Sequence, residues 1–344
     1  MPPTTTMELI MEDRILLAHG SGGKLGHDLI EKNFVPALGN PILNKLDDSA
    51  VFELCGRLAF TTDSYTVSPI FFPGGDIGKL AICGTVNDLA MSGATPLYLS
   101  LSFIIEEGLP ISELEKIVNS ICQAVNEAKV QIITGDTKVV NQGTADKLFI
   151  NTSGIGIVPP GVDISGANAK PGDKVILNGN LGDHGIAVLS KRQGFEFNVP
   201  IESDCAPLNR LVSEILSTSV NLHCLRDPTR GGLATTLNEL AMQSNVGIKI
   251  DETSLPVNEA VQAACELLGF DPLYVANEGK LVAIVAPSDA DKVLDKIRQN
   301  QYGTKASIIG EVVSEHPGKV TMKTLLGSSR IVDMLVGELL PRIC

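Results

Sequence analysis

Apolar residues recur every three to four positions through ISELEKIVNSICQAVNEAK. Ile111, Leu114, Ile117, Val118, Ile121 and Val125 therefore share one face of an amphipathic helix. DIGKLAICGTVNDLAMSG has a similar period at Ile77, Leu80, Ala81 and Gly84, and Gly93 marks its stop. The runs RLAFTTDSY, TPLYLSLSFII, VQIITGD and KLFINTSGIGIV read as strands. The Pro- and Gly-rich stretch 159–173 then separates two halves of similar style. In the second half KVILNGN and KLVAIVA read as strands, with ASIIGEVV as the last. LGDHG and DPTRGG open helices, and APLNRLVSEILS and SDADKVLDKIRQN are helical. From Thr321 onward the ending has no clear period and reads as an arm. The pattern predicts two related α+β halves. They divide as a lead-in with a glycine-rich loop (1–45), a first domain (46–160), a second domain (170–320) and a tail (321–344).

The uncharged run 89–105 is broken by Gly93, Pro96 and hydroxyl residues, so it is a strand entering a core rather than a membrane span. The first residues carry Glu8, Glu12 and Asp13 and have no apolar centre, unlike a signal peptide. Net charge is −13, with a pI near 4.9, and such a surface repels phosphate backbones. Nucleic acid and membrane are therefore not expected as partners. The seven cysteines form no CxxC pair, which points away from a disulfide framework or structural zinc and toward a reducing, cytoplasmic compartment. His223 beside Cys224 reads as local packing.

Acids gather at the strand and turn ends of the first half: Asp47 and Asp48, Asp63, Asp88 next to Asn87, and Asp136 two residues before Lys138. Any one of them can simply cap a turn. Five in one half suit a hard cation, which takes carboxylate and phosphate oxygens together. The loop HGSGGK, with Gly22, Gly23 and Lys24, is a candidate phosphate cover, although it fits neither the P-loop nor the GxGxxG spacing. In the second half, Asp183 and Arg230 lie in loops that open helices. Glu278 and Lys280 occupy a polar break before an apolar strand.

In this order the motifs AHGSGGK, TTDSY, FFPGGDIGKLAICGTVNDLA, ITGDTKVV, ADKLFINT, LGDHG, DPTRGG, ANEGKL and LPRIC resemble those of the hydrogenase maturation factor HypE family. That family lies in the superfamily of aminoimidazole ribonucleotide synthetase and selenophosphate synthetase. The resemblance runs from about Leu17 to Cys344. It implies two α/β domains of that type with a flexible tail, and a homodimer formed through the first domains. ATP and Mg²⁺ would be held by Asp47, Asp48, Asp63, Asn87, Asp88, Asp136, Asp183 and Arg230, with Gly22, Gly23 and Lys24 over phosphate. Asp48, Asp63, Asp88 and Asp136 would be the metal ligands. Cys344 would receive a carbamoyl group from the carbamoyltransferase HypF. ATP-dependent dehydration would turn it into a thiocyanate, and the cyanide would pass to iron on a HypC–HypD complex for nickel–iron hydrogenase. Lys138 and Glu278 would orient the amide and handle its protons.

The chemistry suits the residues. Hydroxide leaves an amide carbon poorly, so phosphorylating the carbamoyl oxygen and removing the nitrogen protons yields S–C≡N and phosphate. An adjacent α-carboxylate disfavours the Cys344 thiolate, and Arg342 partly offsets it, so an activated donor is expected. GELLPRIC spans at most about 28 Å when extended, and Pro341 limits helix near its tip. Leu339, Leu340 and Ile343 are candidate anchors for the tail in a groove. Two alternatives are another ATP-dependent enzyme of the superfamily acting on a small molecule, and a non-catalytic docking protein that uses the tail. Selenophosphate synthetase would be expected to carry Cys or selenocysteine in the glycine loop, which has neither. Prenylation would need the cysteine four residues from the end.

Overall fold

The structure, a computed structural model, describes residues 14–20, 23–47, 49–195, 197, 199–337 and 339–344. In the first domain, helix α1 (Lys24–Leu29) runs on through further helical turns to Leu38. Phe34 from this run stacks on Phe103 at 5.2 Å, so part of the sequence read as lead-in packs on the first domain. Strand β1 (Arg57–Tyr65) leads to the short pair β2 (Phe71–Phe72) and β3 (Gly75–Asp76), then α2 (Ile77–Met91), β4 (Thr95–Glu106), α3 (Ile111–Ala128), β5 (Gln131–Val140) and β6 (Leu148–Val158). The four long strands form one sheet in the order β1-β6-β4-β5, with only β4 and β5 parallel.

Asp76 caps α2 by accepting from the backbone of Gly78 (2.8 Å) and Lys79 (3.0 Å). Almost every α2 residue is buried because the sheet and α3 cover part of the helix and the second domain covers the rest. The small position Gly84 has a specific cause: a Cβ there would lie 2.3 Å from the Tyr65 hydroxyl.

The second domain continues with β7 (Lys174–Leu177), α4 (Asp183–Gln193), α5 (Asn209–Leu216), β8 (Leu222–Arg226), α6 (Gly232–Ser244), β9 (Gly247–Asp251), α7 (Glu259–Leu268), β10 (Val282–Val285), α8 (Ala290–Arg298) and β11 (Ser307–Val313). Two strands follow, β12 (Val320–Lys323) and β13 (Ser329–Val332). The seven-stranded sheet has the order β13-β12-β9-β11-β7-β10-β8. The sequence reading is corrected here: ASIIGEVV is not the last strand, and the arm does not begin at Thr321. Val320, Met322 and Val332 are buried in the sheet's core. Four-residue strands are too short for their alternation to stand out.

Asn87 joins the domains. Its amide nitrogen donates to Ala206 O (3.0 Å) and Glu278 O (3.4 Å), and its oxygen accepts from Leu208 N (2.7 Å). The first-domain core also takes in Val188, Cys205, Ala276 and Ile343 from beyond the boundary. The segment after Val332 thus returns to the cleft between the domains. No helix among the described residues is long and apolar enough to cross a membrane.

Candidate active site

The expected site residues fall into two groups. The first surrounds a cavity of about 320 Å³ lined by His19, Asp47, Leu101, Ile132, Asp136 and Lys138, among others. Gly23 stands at the N-terminus of α1 and Lys24 is its first residue. Lys138 pairs with Asp136 at 3.2 Å on an exposed strand edge, where screening leaves such a pair little stabilising effect. Gly22 and Asp48 lie outside the described residues.

The second group is built around Cys344 in the interdomain cleft. Thr66 donates to a backbone oxygen of Cys344 from its amide (3.2 Å) and hydroxyl (3.3 Å). The Ser68 amide donates to Arg342 O at 3.2 Å. The pairings 66 to 344 and 68 to 342 run the tail antiparallel to the segment that follows β1. The Arg342 Nε donates to Thr66 O (2.9 Å), and its Nη1 binds Asp146 (2.6 Å). From α4, buried His184 meets Ile343 O at 2.8 Å and Ser203 Oγ at 2.8 Å. A carbonyl only accepts, so Nε2 carries the proton and Nδ1 accepts from Ser203. Burial lowers the His184 pKa despite Asp204 and the Ile343 carbonyl, which keeps the ring neutral. At the other end of α4, Arg192 donates to the carbonyls of Ser68 (2.7 Å), Pro341 (2.6 Å) and Arg342 (2.7 Å).

Arg230 and Cys344 line a second cavity of about 270 Å³. The paired glycines after Arg230 have φ of 81° and 62°. A Cβ on Gly232 would also come within 2.5 Å of Leu273 O. DPTRGG therefore needs both glycines to turn into α6 and set Arg230 against the cleft. Burial pushes the Cys344 thiol up to about 12, with Glu278 and Asp63 adding to the effect and Arg230 opposing it. The docked thiol is thus neutral.

Five carboxyls share this cleft. Burial, the adjacent Asp88 and a hydrogen bond with it raise Asp63 to about 6. Asp88 itself accepts from Thr61 Oγ1 at 2.8 Å. Burial, then Asp88, raises Asp227 to about 7. Glu278 is buried, its Oε1 has no hydrogen-bond partner, and burial followed by Cys205, Asp204 and other acids pushes it well above the carboxylate range. Asp183 is raised to about 6 by burial against the opposing pull of Lys280. Crowded, partly protonated oxygens of this kind suit a hard cation bridging to phosphate. Among the described residues no three His, Cys, Asp or Glu side chains already form a metal-holding group.

The single metal set expected from the sequence is corrected within one chain. Asp63 is on β1 and Asp136 on β5, the two edge strands. Their register runs Asp63–Thr152–Leu101–Gly135, so two strands and about 14 Å separate them. Asp63 also faces α2, whereas Asp136 pairs with Ser102 on the open face. Strand distance divides the acids that adjacency in sequence suggested as one cage. The structure brings Asp63, Asp88, Arg230, Glu278 and Cys344 together, with Asp183 beside Lys280, and leaves Asp47, Asp136 and Lys138 at the other cavity. Asn87 stands in the domain joint. Asp227, Asp204, His184, Arg192 and Thr66 were not singled out from the sequence. Asp227 opens DPTRGG, so its motif carried a signal, while Arg192 had none beyond lying in a helix.

The family models place the N-terminal domain of AIR synthase related proteins on residues 46–158 and their C-terminal domain on 170–323. The carbamoyl dehydratase HypE of Cupriavidus necator is 52% identical over 337 residues, 97% of this chain and 96% of its own. That of Escherichia coli is 45% identical over 96% of this chain and 100% of its own. A crystal structure of hydrogenase maturation protein HypE in complex with ATP has a TM-score of 0.93 and 50% identity, covering 96% of this chain and 99% of that one. That of a HypE–HypF complex has a TM-score of 0.80 and 51% identity, covering 89% and 99%. Two domains of the expected type, with the tail cysteine seated between them, agree with these full-length likenesses, and the chain belongs to the HypE family of hydrogenase maturation proteins.

Proposed function

We propose that this protein is an ATP-dependent carbamoyl dehydratase that converts an S-carbamoyl group on its own Cys344 to a thiocyanate. The observation that carries this reading is Cys344, half-buried in the interdomain cleft near Glu278, Arg230 and Asp63. The docked thiol is neutral and poorly nucleophilic, so it cannot collect its group there. The tail is loaded elsewhere and returns for dehydration. The likeness to a HypE–HypF complex supports the carbamoyltransferase HypF as the donor.

Dehydration begins when the amide oxygen attacks the γ-phosphorus of ATP and ADP leaves. One nitrogen proton is lost in that step. A second proton and phosphate then leave, and the carbon–nitrogen triple bond forms. Glu278 is the base, since burial raises the proton affinity of its carboxylate and its Oε1 has no hydrogen-bond partner. Arg230 faces the oxygen that takes up the phosphoryl charge. Mg²⁺ would be held by Asp63, Asp88 and Asp227 and would neutralise phosphate oxygens there. The cavity beside Asp47, Asp136, Lys138 and the glycine loop is the second nucleotide-facing surface. Lys138 serves as a phosphate contact there, because β6 and β4 separate its strand β5 from β1, which leads to Thr66. A homodimer that pairs the open faces of two first-domain sheets would bring the two groups of residues closer. The cyanide passes to a HypC–HypD complex.

The test is to incubate the protein with ATP, Mg²⁺, carbamoyl phosphate and HypF and to weigh the peptide carrying Cys344. A net gain of one cyano group is expected in the wild type and none in Cys344→Ala, which still binds ATP. Normal ATP turnover with an unmodified peptide would overturn the reading.

A further inference from the structure

We propose that Arg192 is the latch that holds the tail in the dehydration position, a positioning residue that acts on tail backbone and not on the reacting atoms. The inference rests on the proposed function, which requires the tail to leave and return. Arg192 lies in the last turn of α4, and its guanidinium donates to three carbonyls: Ser68 from the first domain, and Pro341 and Arg342 from the tail. It lies where both domains and the tail meet. Among the described residues no carboxylate pairs with it. Burial and the nearby Arg342 both lower its pKa, so its charge is offset by carbonyl dipoles alone. A side chain serving only to staple α4 would gain more from an acid.

Backbone recognition has a functional consequence. The Arg192 contacts do not involve the Cys344 side chain, so they serve free, carbamoylated and cyanated forms alike, and discrimination among these forms is left to the groups around Glu278. His184 adds one more carbonyl contact, to Ile343. Only a planar fork reaches three divergent acceptors, so lysine is a poor replacement.

The experiment follows the Cys344 peptide by mass in Arg192→Ala and Arg192→Lys with HypF, carbamoyl phosphate, ATP and Mg²⁺. Arg192→Ala should gain the carbamoyl group at least as fast as the wild type. Its conversion to the cyano form should slow about tenfold or more, and Arg192→Lys should restore only part of the rate. Unchanged conversion overturns the proposal, as does an equal loss of loading and conversion. A second measurement needs no partner: alkylation of Cys344 should speed up in Arg192→Ala, while the exposed Cys55 labels as before. Equal Cys344 labelling in the two proteins overturns the latch. If the wild type takes no carbamoyl group, the functional reading fails, while the labelling comparison still decides the latch.

Discussion

Lys280 Nζ lies 2.9 Å from Asp204 Oδ2, and the two side chains are only 10% and 4% exposed. The Asp204 carboxylate also accepts from the amides of Glu278 (3.1 Å) and Gly279 (3.2 Å). Burial pushes the Asp204 pKa up, but Lys280 and the other donors outweigh it and hold the group below its ordinary range. The pair therefore fixes the turn that aims Glu278 into the cleft. Breaking it leaves an uncompensated buried charge. Lys280→Met should lower stability by about 3–5 kcal/mol, measured by urea unfolding, and should slow dehydration by displacing Glu278.

Stability should fall as pH rises through the range in which the cleft acids titrate. Asp63 and Asp183 titrate near 6 and Asp227 near 7, and Glu278 is raised well above its ordinary range. Each folded-state pKa lies above its unfolded value. Their contribution is complete below about pH 4, where both states are protonated, and is lost as the unfolded state ionises first. The neighbouring groups titrate jointly, so the transition should be broad. Without nucleotide or metal, each such acid taken alone should lower unfolding free energy by about 3 kcal/mol or more between pH 4 and 8, with the total drop reduced in Asp227→Asn. A flat profile would contradict the crowding described here. Mg²⁺ should stabilise more at pH 8 than at pH 6, because it needs ionised ligands.

Glu278→Gln keeps the shape of the side chain but cannot accept a proton. Carbamoylation of Cys344 should proceed, whereas conversion to the cyano form should fall by about a hundredfold or more. The carbamoylated peptide would accumulate, and its mass reads this directly. Rapid conversion in the variant would remove Glu278 from the chemistry.

The long, strongly periodic elements were legible in the sequence: α3 spans 111–128, with Ile117 and Ile121 fully buried, and α2 carries its small positions where Tyr65 and α3 press on it. The short elements were not. β12 and β13 hold four residues each, and β9, at five residues with only Ile248 and Ile250 apolar, is too short for its alternation to stand out. Within the site, motif residues such as Asp63, Glu278 and Arg230 were found by their setting among glycines and strand ends. Arg192 and Asp204 act through backbone groups that are far away in sequence, and only folding reveals those pairings. Asp63 and Asp136 look alike in sequence, and strand order places them on opposite edges.

Asn87 illustrates the same point and can be tested. Its amide fills three backbone bonds between the domains and is buried. Asn87→Ala would strand Leu208 N and weaken the support of Ala206 and Glu278. A loss of about 2–4 kcal/mol is expected, since buried backbone groups left unpaired carry their desolvation cost. ATP affinity should change little. A large loss of affinity with unchanged stability would return Asn87 to the nucleotide site.

The open face of the first-domain sheet carries an apolar row across three strands. Phe60 on β1 pairs in register with Ile155 on β6, and Ile155 pairs with Tyr98 on β4. Tyr98 also packs on Phe52 at 4.9 Å. Phe60 is 70% exposed, and Leu58 and Ile104 extend the exposed apolar surface. A row of this kind, continuous with the sheet, is costly to leave in water and suits a second copy presenting the same face. Phe60→Arg places a charge in its centre on each copy, so two such faces would repel as well as lose burial. Sedimentation should show a dimer for the wild type and a monomer for Phe60→Arg, with the variant's secondary structure intact. If the homodimer completes the nucleotide site, ATP turnover should fall in the monomer, while alkylation of Cys344 in the cleft stays unchanged. A variant that remains dimeric would place the interface on another surface.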